Sequence, residues 1–355
     1  MATSRIDDLD TPAVLVDLDR VERNLSRWQD HCDAHGLANR PHIKTHKLVE
    51  LARRQRELGA VGIACQKLGE AEVMADGGLA DILIPYNLLG PAKLGRAVEL
   101  AGRVALRVSC DSAEVAAGLS EAFAGSDRTL GVLVECDTGA QRCGVQTPAA
   151  AVELAQRIAR LPGLRFDGLM TYPSPGGQPQ VRAFVAGALA ELARAGLEAG
   201  IVSSGGTPDM WRAHTVEGVT EHRVGTYVYN DRMQIRAGSA TLEDCALRVL
   251  TTVVSRPTAG RAILDAGSKS LSSDLYGLEG YGLIEQYPEA RIDKLSEEHG
   301  HVELAATGAA PRLGERVTVV PNHCCVVSNL FDEVVAVRGD RVEARLKVAA
   351  RGRVR

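Results

Sequence analysis

The sequence predicts an α/β protein: an N-terminal (β/α)8 barrel of the TIM type followed by a mostly antiparallel β domain. Three observations point there. Short β-rich runs alternate with helical runs up to about residue 230, eight of the runs count as barrel strands, and past about residue 240 the long helical patterns stop. Eight strands alternating with helices favour a closed barrel over an open doubly wound sheet. The length agrees, since 355 residues exceed the ~250–300 at which a single core stops growing.

The first β-rich run is "TPAVLVDL", and a helical "DRVERNLSRWQDHCDAHG" follows it. The eight barrel strands are then "RPHIKT", "VGIACQ", "DILIP", "VALRVS", "LGVLVECD", "FDGLMTY", "AGIVSSG" and "VTEHRVG". Helical patterns such as "LGEAEVMADGG", "PAKLGRAVELAG", "TPAAAVELAQRIARLPG" and "VRAFVAGALAELARAG" lie between them, and Pro148 and Gly163 punctuate the third. In the second domain "CALRVLTTVVSR", "RAILDAG", "ERVTVVPN", "DEVVAVRG" and "DRVEARLKVAARGR" read as strands joined by turns. Because "TPAVLVDL" precedes the count of eight, residues 1–17 are expected to join the β domain. The barrel then spans residues 18–238 and the β domain residues 239–355.

Composition excludes several classes of function. A formal net charge of −4 with scattered Lys and Arg leaves no basic stripe, so nucleic acid is not an expected partner. No apolar run approaches the ~18 residues of a membrane span, and the acidic start "MATSRIDDLDTPAV" is unlike a signal peptide. Eight cysteines at irregular spacing argue against a disulfide scaffold and for a reducing cytoplasm. Cys65, Cys110 and Cys136 read as small buried hydrophobes.

Two places carry candidate chemistry. In "NRPHIKTHKLVEL" Lys44 sits between β-branched Ile43 and Thr45 at the C-terminal end of the first barrel strand, where barrel enzymes build their sites. Its amine would form a Schiff base with an aldehyde cofactor if the site lowers its pKa, and His42 and His46 would help if protonated. A strand-end lysine reaching to solvent is the other reading; Lys47 is expected only to begin the next helix. The loop after strand seven, "SSGGTPDM", supplies Gly205, Gly206 and Thr207, and "RVGTYVYND" after strand eight supplies Gly225, Thr226 and Tyr227. Glycines let backbone amides approach phosphate oxygens, and barrels commonly bind phosphate at these two loops. Two such loops opposite a strand-one lysine describe a site for pyridoxal 5'-phosphate.

The second place is "VVPNHCCVVSNLFDE". Read as an extended strand, it puts His323 and Cys325 on one side and Cys324 on the other. Imidazole and thiolate suit a borderline divalent ion such as Zn²⁺, and two protein ligands leave positions open for water and substrate. A structural histidine and cysteine in a strand is the alternative.

With "RPHIKTHK", "GIACQKLGEAEVMADGG", "DILIPYNLLG", "DAGSKSLSSD", "LSEEHG" and the metal pair together, the chain resembles the metal-activated pyridoxal enzymes of the D-threonine aldolase and D-serine dehydratase group. The resemblance runs over nearly the whole chain. It implies the fold-type III architecture of alanine racemase and a homodimer. It implies Lys44 as the lysine that binds the cofactor aldehyde, and Gly205, Gly206, Thr207, Gly225 and Tyr227 as the phosphate cradle. Arg142 in "DTGAQRCGV" matches an arginine near the cofactor ring, Tyr172 in "GLMTYPSP" a site aromatic, and His323 and Cys325 the ligands of a divalent Mn²⁺, Mg²⁺ or Zn²⁺. The implied reaction cleaves D-3-hydroxy amino acids of the D-threonine type to glycine and an aldehyde. The alternative is dehydration of D-serine or 3-hydroxy-D-aspartate, and a racemase is a third reading that the H-x-C pair opposes. Two departures bear on the choice. Cys325 stands where aldolases of the group often carry an aspartate, and "PSPGGQPQ" lacks the histidine that some aldolases place there. "SNLFDE" is in turn more aldolase-like.

Overall fold

Two periodicities organise the computed structural model of this chain, which describes residues 5–305 and 308–355. The described residues form two units, one drawn from Met1–Ser26, Thr45–Leu48 and Thr226–Gly352, the other from Arg27–Lys44, Val49–Gly225 and Arg353–Arg355. Strand β1 (Ala13–Asp17) leads into helix α1 (Leu18–Ala34). Val21, Leu25, Trp28 and Cys32 recur at helical spacing in α1 and are all at most 1% exposed, so one face of the helix is core.

The larger unit is a parallel barrel. Its strands are β2 (Ala38–Asn39), β3 (Ile63–Ala64), β4 (Asp81–Ile84), β5 (Ala105–Cys110), β6 (Leu130–Cys136), β7 (Leu164–Thr171), β8 (Ile201–Gly205) and β9 (Glu221–Arg223). They pair in the order β2-β9-β8-β7-β6-β5-β4-β3. The parallel bridge between His42 and Ala64, with Val61 N–H donating to Asn39 O and Ala64 N–H to Pro41 O, closes the ring. Helices α2 (Val49–Glu57), α3 (Leu68–Asp76), α4 (Pro91–Ala101), α5 (Ala113–Phe123), α6 (Pro148–Arg160) and α7 (Gln178–Arg194) fill the crossovers. Their starts are written locally: Ser112 and Thr147 accept the amides of Val115 and Ala150, and Pro91 and Pro148 occupy first turns where no N–H is needed. Every residue of β6 is buried, as its unbroken "LGVLVEC" requires of a strand covered on both faces.

The first barrel strand is shorter than expected. The sequence predicts a strand over "RPHIKT", but the ladder is regular only at Ala38–Asn39. Arg40 and His42 still donate to His222 O and Val224 O, and Ile43–Thr45 then forms a 3-10 turn. Pro41 has no N–H to give. Lys44 therefore stands on a turn beyond the strand and not within it.

The second unit is a nine-stranded sheet. It joins β1 to β10 (Leu247–Thr258), β11 (Arg261–Leu264), β12 (Leu283–Ile284), β13 (Arg291–Leu295), β14 (Gly300–Glu303), β15 (Arg316–Val320), β16 (Glu333–Arg338) and β17 (Arg341–Lys347). The order is β11-β14-β13-β12-β15-β10-β1-β16-β17, and β10 also pairs with β11, closing six strands into a ring. Every pairing is antiparallel except that of β1 with β16. Leu9, Leu15, Leu250, Val335 and Val337 form a core cluster where β1 sits between β10 and β16. Three short helices complete the unit: α8 (Arg232–Arg236), α9 (Ser268–Leu271) and α10 (Cys324–Leu330). No helix among the described residues is long and apolar enough to cross a membrane.

Candidate active site

In the barrel unit the turn that carries Lys44 is shaped by a neighbouring imidazole. His42 Nδ1 accepts the Lys44 backbone N–H at 3.3 Å, and His42 Nε2 lies 3.0 Å from Gln66 Oε1. Lys44 Nζ stands 5.8 Å from the ring centroid of Tyr172, and the guanidinium carbon of Arg142 stands 4.8 Å from the same centroid. Two cations thus share one aromatic ring just past β7, at the C-terminal end of the strands.

The same ring borders the glycine turn after β8. A Cβ on Gly205 would meet Arg223 Nη2 at 3.0 Å and Tyr172 Cδ2 at 3.3 Å, so only glycine passes there without displacing a neighbour. Gly206 holds φ +109°, with Tyr172 Cε2 the second-nearest atom, at 3.9 Å from an added Cβ. His222, fully buried in β9, holds the Gly206 carbonyl at 3.0 Å from Nε2, and that carbonyl requires the proton to sit on Nε2. Burial, partly offset by that hydrogen bond, pushes His222 down to about 4. Gly225 N–H donates to Thr207 Oγ1 at 3.4 Å, tying the two expected phosphate turns together. Lys44, Arg142, Tyr172, Gly205 and Gly206 are therefore one neighbourhood, with Thr207 and Gly225 linked beside it. Tyr227 belongs to the other unit, where it is 2% exposed in the 3-10 turn Thr226–Val228.

Beneath that neighbourhood the barrel interior is polar. Arg223 donates to Ser203 Oγ at 2.5 Å and to the Thr171 carbonyl at 2.8 Å, Ser203 donates to Glu221, and Glu221 and Asp81 both receive Arg40. Burial raises Glu135, opposed by Arg142, and lowers Arg223 to about 10. These buried pairs set the ends of β7, β8 and β9 and so place the Tyr172 ring and the glycine turn.

The second unit carries the metal-type donors, and here the strand reading is corrected. β15 ends at Val320; His323 is the N-cap of α10 and Cys325 lies in its first turn. The helix start, not a strand's alternation, brings their ligand atoms within 4.8 Å. Cys324 does not face away either: it is fully buried, and its Sγ belongs to the same cluster. Burial first, then Cys325 and Asp231, holds the Cys324 thiol well above its usual range.

Asp231 organises this group, and the sequence reading passed over it. Its Oδ2 lies 2.8 Å from His323 Nδ1 and accepts the Cys324 N–H at 3.0 Å, while its Oδ1 caps α8 by accepting Gln234 N–H at 3.0 Å. A carboxylate on Nδ1 fixes the tautomer that leaves Nε2 for an ion. Burial opposes charge on His323, but Cys325 and Asp231 outweigh it and raise His323 to about 11, so an ion at Nε2 would have to displace the proton that the ring otherwise carries there. Thr45 Oγ1 lies 3.1 Å from Cys325 Sγ, and the Tyr276 ring meets His323 edge-on at 5.1 Å. The signal for Asp231 was present as an acid ahead of "RMQIR", although in sequence it reads as an ordinary helix cap.

The fold is an alanine racemase-type barrel accompanied by a β unit, and the β unit carries a group of metal-type donors. Residues 16–233 match the alanine racemase N-terminal domain, and residues 246–337 match a putative serine dehydratase domain. A D-threonine aldolase of Arthrobacter sp. is 36% identical over 97% of this chain and 93% of its own. The D-threo-3-hydroxyaspartate dehydratase of Delftia sp. is 34% identical over 94% of this chain and 95% of its own, and a variant of a dehydratase of that name has been solved in a metal-free form. The crystal structure of D-threonine aldolase from Filomicrobium marinum superposes with a TM-score of 0.94 at 34% identity, covering 99% of both chains. The chain belongs to the D-threonine aldolase and D-serine dehydratase family of alanine racemase-like lyases.

Proposed function

We propose that the chain is a pyridoxal phosphate- and divalent metal-dependent lyase that cleaves D-3-hydroxy amino acids of the D-threonine type to glycine and an aldehyde. The observation that carries this reading is the His323–Cys325 pair backed by Asp231. Chemistry confined to the α-carbon has no use for a metal, whereas a 3-hydroxyl does. Membership of the family and the full-length likeness to an aldolase support the same reading.

The residues suit both groups. Lys44 would take the cofactor aldehyde, Gly205, Gly206, Thr207, Gly225 and Tyr227 the phosphate, and Tyr172 and Arg142 the ring. The side-chain-free turn at Gly205 and Gly206, where an added Cβ on Gly205 would crowd Arg223 and Tyr172, lets backbone amides approach a phosphate. Bound there, pyridoxal phosphate supplies an electron sink for the substrate α-carbon. A divalent Mn²⁺, Mg²⁺ or Zn²⁺ on His323 and Cys325 supplies Lewis acidity toward a hydroxyl.

The chain's own work is positioning and proton control. His42 fixes the backbone from which the Lys44 amine extends, and Asp231 keeps His323 Nδ1 protonated so that Nε2 stays a ligand. Arg142 places positive charge beside the Tyr172 ring, where an amino-acid carboxylate would find a partner. The Cα–Cβ bond breaks where a base takes the 3-hydroxyl proton, releasing the aldehyde, and the α-carbon then needs a proton to leave as glycine. If Lys44 Nζ instead takes the α-proton, the hydroxyl departs and the outcome is dehydration.

Dehydration of D-serine or 3-hydroxy-D-aspartate is the second reading, and Cys325 in place of an aspartate favours it. In either case the substrate is a small D-3-hydroxy amino acid, with no nucleic acid or membrane partner. The working form would be a cytoplasmic homodimer, a reading supported by eight free cysteines and by the family likeness. Residues 18–238 would serve as the cofactor barrel, and residues 239–355, joined by residues 1–17, as the metal-bearing domain. The deciding experiment supplies pyridoxal phosphate with each metal and offers D-threonine and D-serine separately. Glycine and acetaldehyde from D-threonine are expected; 2-oxobutyrate or pyruvate with ammonia and no glycine would overturn the aldolase reading.

A further inference from the structure

The barrel unit carries another group of metal-type donors that the proposed reaction does not use. His31 lies in the last turn of α1 and His35 four residues on, just past the helix end, so the two rings leave the same side. His214 comes from the 3-10 turn Met210–Thr215. Ring centroids stand 4.5 Å apart for His31 and His35, 4.9 Å for His31 and His214, and 3.7 Å for His35 and His214. One nitrogen from each lies within 4.8 Å of the other two.

Two ring nitrogens of the group lack a partner. His31 Nε2 and His214 Nδ1 are buried, and neither has a hydrogen-bond partner among the described residues. Buried polar atoms are ordinarily paired, so two orphans in one cluster call for a missing group. Packing against Trp28 and Trp211, whose rings stand 5.4 Å and 5.3 Å from His31, accounts for the rings but not for the nitrogens. A neutral imidazole is the form that binds a metal.

We propose that His31, His35 and His214 form a second metal site, for Zn²⁺ or another late first-row divalent ion that prefers imidazole. Metal–nitrogen bonds of about 2.0–2.1 Å in a tetrahedron need nitrogens nearer than 4.8 Å. The exposed His35 ring, now stacked at 12° on His214, turns to close that gap. Three protein ligands leave the fourth position to water. The ion would pin the end of α1 to the turn Met210–Thr215, whose first amide, that of Met210, donates to Thr207 O in the glycine turn at 3.2 Å. The site is thus a brace for the loop that follows β8, separate from the ion at His323.

Zinc counting tests this. Wild-type protein and a variant carrying H323A and C325S are stripped with chelator, reloaded with Zn²⁺, freed of excess ion and analysed for bound zinc. Two ions per chain are expected in the wild type and one in the double variant. Adding either H35A or H214Q to the double variant should remove the last ion and with it the rise in thermal midpoint that Zn²⁺ confers. Co²⁺ in the double variant should show ligand-field bands without a thiolate charge-transfer band. If H35A and H214Q both leave zinc content unchanged, or if the charge-transfer band appears in the double variant, the proposal is overturned.

Discussion

The Nδ1 of His42 accepts the backbone N–H of Lys44 at 3.3 Å. A nitrogen that accepts carries no proton there, so the ring's proton sits on Nε2, which donates to Gln66 Oε1 at 3.0 Å. The device recurs two residues on in chain order after Lys44, where His46 Nδ1 accepts the Leu48 N–H at 3.0 Å. Both histidines therefore act as turn-forming acceptors, much as aspartate and asparagine do in Asx turns. These hydrogen bonds give both rings a geometric role at the turns they shape.

That role predicts a rescue pattern. H42A removes one acceptor from the turn, and a hydrogen bond of about 1–1.5 kcal/mol corresponds to roughly a tenfold loss in kcat/KM for D-threonine cleavage. Asparagine offers an oxygen at a similar reach to the i+2 amide, so H42N should recover most of it. Equal losses for H42A and H42N would show that the ring serves some other purpose.

Lys44 itself is testable without kinetics. Borohydride treatment of the pyridoxal phosphate-loaded protein should place one pyridoxyl group on the peptide containing Lys44. Lys47 should stay unlabelled, because it is buried in a left-handed turn and its Nζ reaches the Ala350 carbonyl at 3.4 Å. K44A should abolish labelling and lower activity by about a thousandfold or more, as loss of a covalent group does. A visible chromophore that survives in K44A would refute the assignment.

At the metal group the sensitive residue is Asp231, which touches no substrate in this reading. D231N keeps the oxygen that caps α8 at Gln234 but exchanges the carboxylate facing His323 for a neutral amide. Metal affinity should fall by about 10–100-fold, the usual cost of losing such a partner. Activity at saturating metal should be nearly restored, so the change appears in the metal titration and hardly in kcat. An unchanged metal titration would show that Asp231 only caps the helix.

How much of this was legible in the sequence depended on whether the signal was local. The alternation of "LGVLVECD" with "TPAAAVELAQRIARLPG" fixes β6 and α6 because the strand is buried on both faces and the helix is capped by Thr147 and Pro148. The glycine turn was readable for the same reason, since Gly205 and Gly206 are where backbone must pass close to other atoms. The short strands β12, β13 and β14 are not legible in the sequence because their pairing, β13 with β14 in a hairpin, β14 with β11 and β12 with β15, makes them strands rather than their propensity. "NHCCVVSNL" misled for a related reason. Its β-branched valines suggest extension, yet Asp231, some ninety residues earlier, accepts the Cys324 amide and helps set the start of α10. His31, His35 and His214 were invisible as a group, because the i, i+4 pair gains meaning only when the turn at 210–215 folds against it.

Buried histidine also sets the acid stability of the barrel unit. His222 is 0% exposed, and burial lowers it to about 4, with the Gly206 carbonyl and Asp209 opposing that shift and Arg223 and His31 adding to it. In the unfolded chain the same ring titrates near its ordinary 6.5. Between these values the unfolded state binds a proton that the folded state refuses. The stabilisation due to the neutral ring is therefore complete above about pH 6.5 and is lost as pH falls toward 4, a change on the order of 3 kcal/mol. H222Q cannot titrate in either state and still offers a donor to the Gly206 carbonyl. Urea unfolding at near-neutral pH and again near pH 4.5 should show a steep loss for the wild type and a shallower one for H222Q. Parallel losses in the two proteins would mean that His222 is already charged in the folded barrel, and the hydrogen bond to Gly206 would then have to be held by an imidazolium.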